Sequence, residues 1–250
     1  MEPRKRFDLA RARVLGESYA EEGIGTLSER SLHRILKLYF EPDETLHEVK
    51  FLGKVCDIKN AEGITEIQTR RLAALAPKLE RFLPECPVTV VYPLDRTKYI
   101  STVKRGSGEI SPRKKSPKHC TVYDSFYELY NIRSFLSSPN LTVKLVFLES
   151  DEFRYDSGKA FGKRRRRERA ERIPNAIVDT VTLASADDYK VLVPPTLASE
   201  FSATDFNRAV GKSFDYGYSG IQILIAVGLA EKIGKVGKSI MYRLTYEREQ

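Results

Sequence analysis

The stretch Gly53-Lys54-Val55-Cys56-Asp57-Ile58-Lys59-Asn60-Ala61-Glu62-Gly63-Ile64-Thr65-Glu66-Ile67-Gln68-Thr69 decides how this chain is read. Strand-like runs at 46–58 and 64–69 flank Asn60-Ala61-Glu62-Gly63, a short polar turn ending in glycine, so the spacing predicts a hairpin or meander. Asp57 closes the first run. Glu66 and Gln68 on the second are separated by one residue and so leave the same face of the strand. Antiparallel pairing across the turn then brings Asp57 beside them. Two carboxylates converging at the ends of paired strands form a hard-oxygen site suited to Mg²⁺ or Mn²⁺, with the Ile67 backbone carbonyl as a further ligand.

Upstream, a helix is expected from Thr26 or Ser28 to Pro42, because Leu32, Ile35, Leu36 and Tyr39 repeat at the spacing of one buried face. Glu29 falls in its first turn, four residues before His33 and on the same face. Downstream, Arg70 to Leu83 carries Leu72, Leu75, Leu79 and Phe82 at helical spacing, and Val88 to Tyr92 is a β-branched run suited to a strand buried on both faces. Strand, helix and buried strand imply a parallel crossover and an α/β sheet. Further strands are expected at 99–103 and 141–148, with a helix over 122–136 between them. In that helix Tyr123, Tyr127 and Tyr130 form a stripe read as core.

The order of these elements resembles the PD-(D/E)XK nuclease superfamily over residues 25–150. In that family an Asp is followed, after a variable gap, by Glu-x-Lys on the next strand; here the wording is Asp57 … Glu66-Ile67-Gln68, with Gln where Lys is usual. The runs Ser31-Leu-His-Arg-Ile-Leu-Lys37, Val91-Tyr-Pro-Leu94 and Lys115-Ser-Pro-Lys118 are also similar to an uncharacterised bacterial family with this core and a C-terminal winged helix. The resemblance implies a restriction-endonuclease-like mixed sheet flanked by helices. It also implies a metal-dependent nuclease in which Asp57, Glu66 and Ile67 hold Mg²⁺ or Mn²⁺, Gln68 orients water or the scissile phosphate, and Glu29 assists. The missing ammonium is assigned to Lys98, with Lys59 as its alternate. His33, His47 and His119 are read as surface or packing residues.

Charge placement supports a nucleic-acid partner, expected to be double-stranded DNA. The chain of 250 residues is +8 overall, but 104–118 carries net +5 and 159–172 net +6, which leaves the remainder slightly acidic. The loop 106–118 and the tract 156–172 have the Gly, Ser, Pro and charge content of exposed connections. Arg113, Lys114, Lys115 and Lys118 in the first, and Arg164, Arg165, Arg166 and Arg167 in the second, are the expected phosphate contacts. After Pro194-Pro195 the pattern becomes helix, apolar helix and glycine-tipped hairpin, the order of a winged helix-turn-helix, with Lys235 and Lys238 at the tip of its wing.

The expected organisation is therefore an arm or short helix over 1–24, a nuclease-like domain over 25–194 and a winged helix over 195–250. Two further readings stay open: a catalytically inactive, nuclease-derived DNA-binding or regulatory protein, favoured by Gln68, and an RNA-binding protein, favoured by the basic tracts. At 41% hydrophobic and 30% charged the composition is that of a globular protein. Three scattered cysteines, Cys56, Cys86 and Cys120, suit neither a disulfide framework nor a zinc site and read as reduced thiols in or near the core. No apolar run approaches the roughly 20 residues that span a bilayer, and the N-terminus is charged, so a cytoplasmic protein without membrane attachment is expected. Nucleases of this kind often pair to cut both strands, so a homodimer is a possible assembly.

Overall fold

A computed structural model describes residues 2–21, 30–104, 107–161, 164–211 and 214–247. The N-terminal segment is helical, α1 over Pro3–Glu21, and α2 follows at Arg30–Phe40. Phe7, Ala10 and Val14 of α1 close over Ile35 and Leu38 of α2, so the expected arm is part of the packed body.

The strand expected over 46–58 is two strands, β1 (His47–Phe51) and β2 (Lys54–Asn60). Leu52 and Gly53 between them both have positive φ, 47° and 72°, the backbone of a two-residue hairpin turn. The second turn leads into β3 (Gly63–Ile67). The helix expected at 70–83 is a 3-10 turn followed by α3 (Ala76–Phe82). β4 (Val88–Lys104) runs on through Pro93 and absorbs the strand expected at 99–103. The short β5 (Lys114–Lys115) pairs with it, and α4 (Phe126–Asn131) lies between two 3-10 turns.

The tract at 156–172, expected as an exposed connection, lies instead in a long hairpin of β6 (Leu141–Phe161) and β7 (Arg164–Leu183). β7 is the last strand of the sheet, and charge along such an edge discourages pairing with another chain. The sheet order is β1-β2-β3-β4-β6-β7, with β5 beside β4. β1, β2 and β3 are antiparallel neighbours, β3, β4 and β6 run parallel, and β7 is antiparallel to β6.

Alternate residues of the parallel strands go to opposite faces. Ile67, Val91, Val146 and Leu148 meet Leu32 and Leu36 of α2 on one face. Ile64, Val88, Val90, Val143 and Leu145 meet Leu79 and Phe82 of α3 and Phe126 and Leu129 of α4 on the other. The result is a mixed sheet covered by helices on both sides.

The C-terminal segment consists of β8 (Glu200–Ser202), α5 (Ala203–Val210), α6 (Phe214–Ala226), β9 (Ala230–Val236) and β10 (Ser239–Leu244). Ser202 caps α5 as its sequence indicates, with Asp205 answering in a capping box, and Gly211 closes the helix at φ 66°. The three strands pair in the order β8-β10-β9. Phe206 and Ile221 share a core with Phe126 and Leu129, and a Cβ on Gly220 would stand 2.7 Å from Phe126 and 2.9 Å from Phe206, so only glycine lets α6 approach α4 this closely. Cys56, Cys86 and Cys120 are free thiols, two buried and one half-buried. Among the described residues no helix is long and apolar enough to cross a membrane.

Candidate active site

The pairing of β2 with β3 stops at Ile58↔Thr65. One residue earlier on β2, the carboxylate of Asp57 takes over the role of a ladder acceptor: its Oδ2 receives the Ile67 N–H at 2.7 Å. The same oxygen lies 3.1 Å from Nε2 of His33, which reaches down from α2. Burial acts to raise the pKa of Asp57, but the His33 contact and the Ile67 amide together outweigh it and hold the carboxyl below its ordinary value.

Glu66 lies on the opposite side of β3 from Ile67 and is 2% exposed. Both of its oxygens accept from Nζ of Lys78 on α3, at 2.9 and 2.7 Å. Burial, and then the charge of Asp57, push its carboxyl up to about 7 in spite of that ammonium. Lys78 sits one position before Leu79, whose burial fixes the rotation of α3 and so aims the ammonium at β3. Gln68 is half-buried just past β3, its N–H donated to the Val91 carbonyl at 2.9 Å.

Asp57 thus lies close enough to Glu66 for its charge to act on that carboxyl and is bonded to the Ile67 N–H, whereas Gln68 is placed by its backbone bond to Val91 alone. The structure also adds two residues that the sequence did not assign to this site, His33 and Lys78. Their signal was faint: an i, i+4 relation to Glu29 for one, a lysine on the crossover helix for the other. The two lysines expected to supply the ammonium are elsewhere. Lys98 is held by Glu152 at 3.0 Å and Asp95 at 3.4 Å, and Lys59 lies over the Phe51 ring at 4.9 Å. Glu29 lies outside the described residues. His119 and His47 contact the backbone carbonyls of Arg96 and Glu41.

Of the expected phosphate contacts, Lys114, Lys115, Lys118, Lys235 and Lys238 are exposed. Arg113 is committed internally, with Nε 2.6 Å from Asp151 and its guanidinium 3.5 Å from the centre of the Tyr99 ring. The side chains of Arg164, Arg165, Arg166 and Arg167 lie outside the described residues; strand register sets Arg167 opposite Asp156 and Arg165 opposite Ala160.

A cavity of about 880 Å³ opens beyond the carboxyl end of β3, where Thr69, Arg70 and Arg71 meet β4, α4 and α6. Tyr127 and Tyr130 line it, so two members of the tyrosine stripe face a cavity rather than core, and Tyr127 is 59% exposed.

The family model described as Domain of unknown function (DUF8091) matches residues 30–184. The chain belongs to this family. It is also similar to an uncharacterized protein of Treponema pallidum (strain Nichols), 29% identical over 223 residues that cover 88% of this chain and 87% of the other. No solved structure matches it.

Proposed function

We propose that this DUF8091 protein is a metal-dependent nuclease with a PD-(D/E)XK-like core. The observation that carries the reading is the meeting of Asp57, Glu66 and the Lys78 ammonium where β2 and β3 part, within the order helix, three strands, crossover helix and strand. Lys78 reaches Glu66 from the crossover helix and so supplies the positive charge that Gln68 lacks.

The donors suit a hard divalent ion. Glu66 is held near 7 by burial and by the charge of Asp57, a repulsion that a cation between the two relieves. Among the described residues no third His, Cys, Asp or Glu completes a cluster with them. Mg²⁺ tolerates this, because it commonly keeps several waters and binds through one or two carboxylates and substrate phosphate. Asp57, Glu66 and the Ile67 carbonyl would hold it, and when bound the ion supplies Lewis-acid polarisation of a phosphate oxygen. His33 keeps Asp57 oriented and ionised, and Lys78 neutralises charge at Glu66 and at the phosphate. Gln68 offers an amide to the same region.

β8 to β10 with α5 and α6 are read as a winged helix whose hairpin carries Lys235 and Lys238 to duplex DNA. A second reading has one observation in its favour: both oxygens of Glu66 are taken by Lys78, as in a structural ion pair, and the core then binds nucleic acid without cutting it. Supercoiled plasmid, single-stranded DNA and structured RNA incubated with Mg²⁺ or Mn²⁺ separate the readings. Cleavage by the wild type that is lost in Glu66→Gln supports the nuclease, whereas no cleavage by either, with salt-sensitive binding kept by both, moves the assignment to the non-catalytic protein.

A further inference from the structure

The cavity beyond β3 combines aromatic faces with cationic groups. Tyrosines from three elements stand around it, Tyr92 from β4, Tyr127 and Tyr130 from α4, and Tyr216 and Tyr218 from α6. Tyr130 and Tyr218 already lie as a tilted pair with ring centroids 6.1 Å apart. Arg70, Arg71, Lys98, Lys118 and Arg172 are interspersed with them.

The three acids of the lining are engaged by the protein itself. Asp124 accepts the Thr121 N–H at 2.8 Å, Glu128 accepts the Leu72 N–H at 2.7 Å, and Asp95 accepts the Ser150 hydroxyl at 2.8 Å. Of the cations, Lys98 is held by Glu152 and Asp95, and Lys118 lies 3.7 Å from Asp124, so the case for a bound anion rests on Arg172. Its side chain is 9% exposed, only Nη1 reaches Asp95, at 3.4 Å, and Nη2 is buried without a hydrogen-bond partner. A buried guanidinium nitrogen left unpaired is costly unless an anion completes it.

We infer that this cavity seats a nucleotide of a single-stranded nucleic acid, its base against the tyrosines and its phosphate toward Arg172 and the basic rim. The volume lies within the range of small-molecule sites, roughly 300–1,000 Å³. Aromatic faces accept any base by stacking, and cations track the phosphate. Thr69 on the cavity wall is three residues past Glu66 in the chain, just beyond the end of β3, which sets the cavity near the candidate carboxylate. The inference rests on the nuclease reading for one point alone, that the seated nucleotide lies near the bond to be cut.

The test is binding in EDTA, which removes cleavage from the measurement. Fluorescence anisotropy of a labelled single-stranded octamer is followed with the full chain, against a blunt duplex of the same sequence, with a 5′-mononucleotide and inorganic phosphate as competitors. The single strand is expected to bind more tightly than the duplex, and the mononucleotide to displace it where phosphate at equal concentration does not. Tyr127→Ala and Tyr218→Ala, at exposed rings whose loss leaves the core intact, are each expected to weaken the single strand about 5- to 150-fold and the duplex little. Unchanged affinity in both variants, or displacement by phosphate equal to that by the mononucleotide, overturns the proposal. A protein that discriminates in this way but never cleaves retains the cavity assignment and loses the nuclease. One that cleaves while both tyrosine variants bind as the wild type does the reverse.

Discussion

Lys78 on α3 donates to both oxygens of Glu66 on β3, at 2.9 and 2.7 Å, and this pair ties the crossover helix to the strand that carries the candidate chemistry. The carboxylate is almost fully enclosed while the ammonium is 26% exposed, so the desolvation cost falls chiefly on Glu66. That imbalance explains why its carboxyl stays near 7 even with a cation in contact.

Glu66 should therefore make folding pH-dependent. Its folded pKa of about 7 lies above its ordinary 4.5, so between those values the folded chain holds a proton that the unfolded chain has released. Stability from this group is complete below about pH 4.5 and is lost as pH rises through 7, by about 3 kcal/mol in all. Urea midpoints measured from pH 5 to pH 8 should fall for the wild type more steeply than for Glu66→Gln. Parallel profiles for the two proteins would show that Glu66 does not titrate in this window.

Removing the ammonium should exaggerate the same slope. In Lys78→Met the Glu66 carboxylate loses its contact cation, its pKa climbs further, and the protein escapes the penalty only by keeping the proton. The expected loss is about 2–4 kcal/mol at pH 8 and much less at pH 5, where Glu66 is already neutral. The double variant Glu66→Gln, Lys78→Met should lose less than the two single losses added together, since neither charge is then left alone. Equal losses at both pH values would mean that Lys78 contributes by packing rather than by its charge.

Asp57 makes a different demand, because its oxygen replaces a backbone acceptor in the ladder. Asp57→Ala leaves the Ile67 N–H without its acceptor at a residue 3% exposed, at an expected cost of about 1–3 kcal/mol. Asp57→Asn keeps a carbonyl oxygen at that place and should cost clearly less, while its neutral amide removes the charge that raises Glu66. The Asn variant should show a Glu66 titration shifted toward 4.5, followed by the carboxyl resonances in NMR. Equal destabilisation by the two substitutions would contradict the backbone-acceptor role.

The hairpin around Gly63 was legible in the sequence because a polar glycine turn between two β-branched runs has one economical solution, and the carboxylate pair came with it. α2 was legible for the same kind of reason, its buried leucines and isoleucine repeating along one face. The turn at Leu52-Gly53 was not, since the two-residue hairpin turn holds leucine at positive φ against its own preference, with a side chain that stays 44% exposed. The β6–β7 hairpin was hidden by its composition: a tract of arginine and glutamate looks like a solvated connection, and only the sheet edge that it occupies makes charge compatible with strand pairing. Lys78 was missed because a lysine on an amphipathic helix looks solvent-facing, and its approach to Glu66 depends on how far the crossover returns α3 over β3.

Gly63 sets the register on which the site depends. It has φ 129°, and a Cβ there would stand 2.3 Å from the Pro87 carbonyl oxygen, the acceptor of the Ile64 N–H. Gly63→Ala combines that backbone strain with a clash that no side-chain motion relieves, so a loss of about 2 kcal/mol or more is expected in urea unfolding. Gly16→Ala within α1 is the comparison, since a Cβ there meets nothing within 4 Å and alanine favours the helix by up to about 1 kcal/mol. A Gly63→Ala protein as stable as the wild type would show that the turn tolerates a different path.

The basic residues near β5 should not contribute equally to nucleic-acid affinity. Lys114 and Lys115 are exposed on the edge of β4, whereas Arg113 is spent on Asp151 and on the Tyr99 ring. A protein that tracks phosphates should show log affinity falling linearly with log salt, with a slope near −0.9 for each phosphate neutralised. Lys114→Gln and Lys115→Gln should each reduce the magnitude of that slope by about 1, uniformly across sequences, while Arg113→Gln should change it far less. The slopes are read from anisotropy titrations between 50 and 200 mM salt, a range chosen because several phosphate contacts already change affinity by orders of magnitude across it. A slope near zero in the wild type would remove phosphate tracking altogether. An Arg113→Gln effect as large as that of the lysines would mean that the Asp151 pair opens on binding and frees the guanidinium for the phosphate.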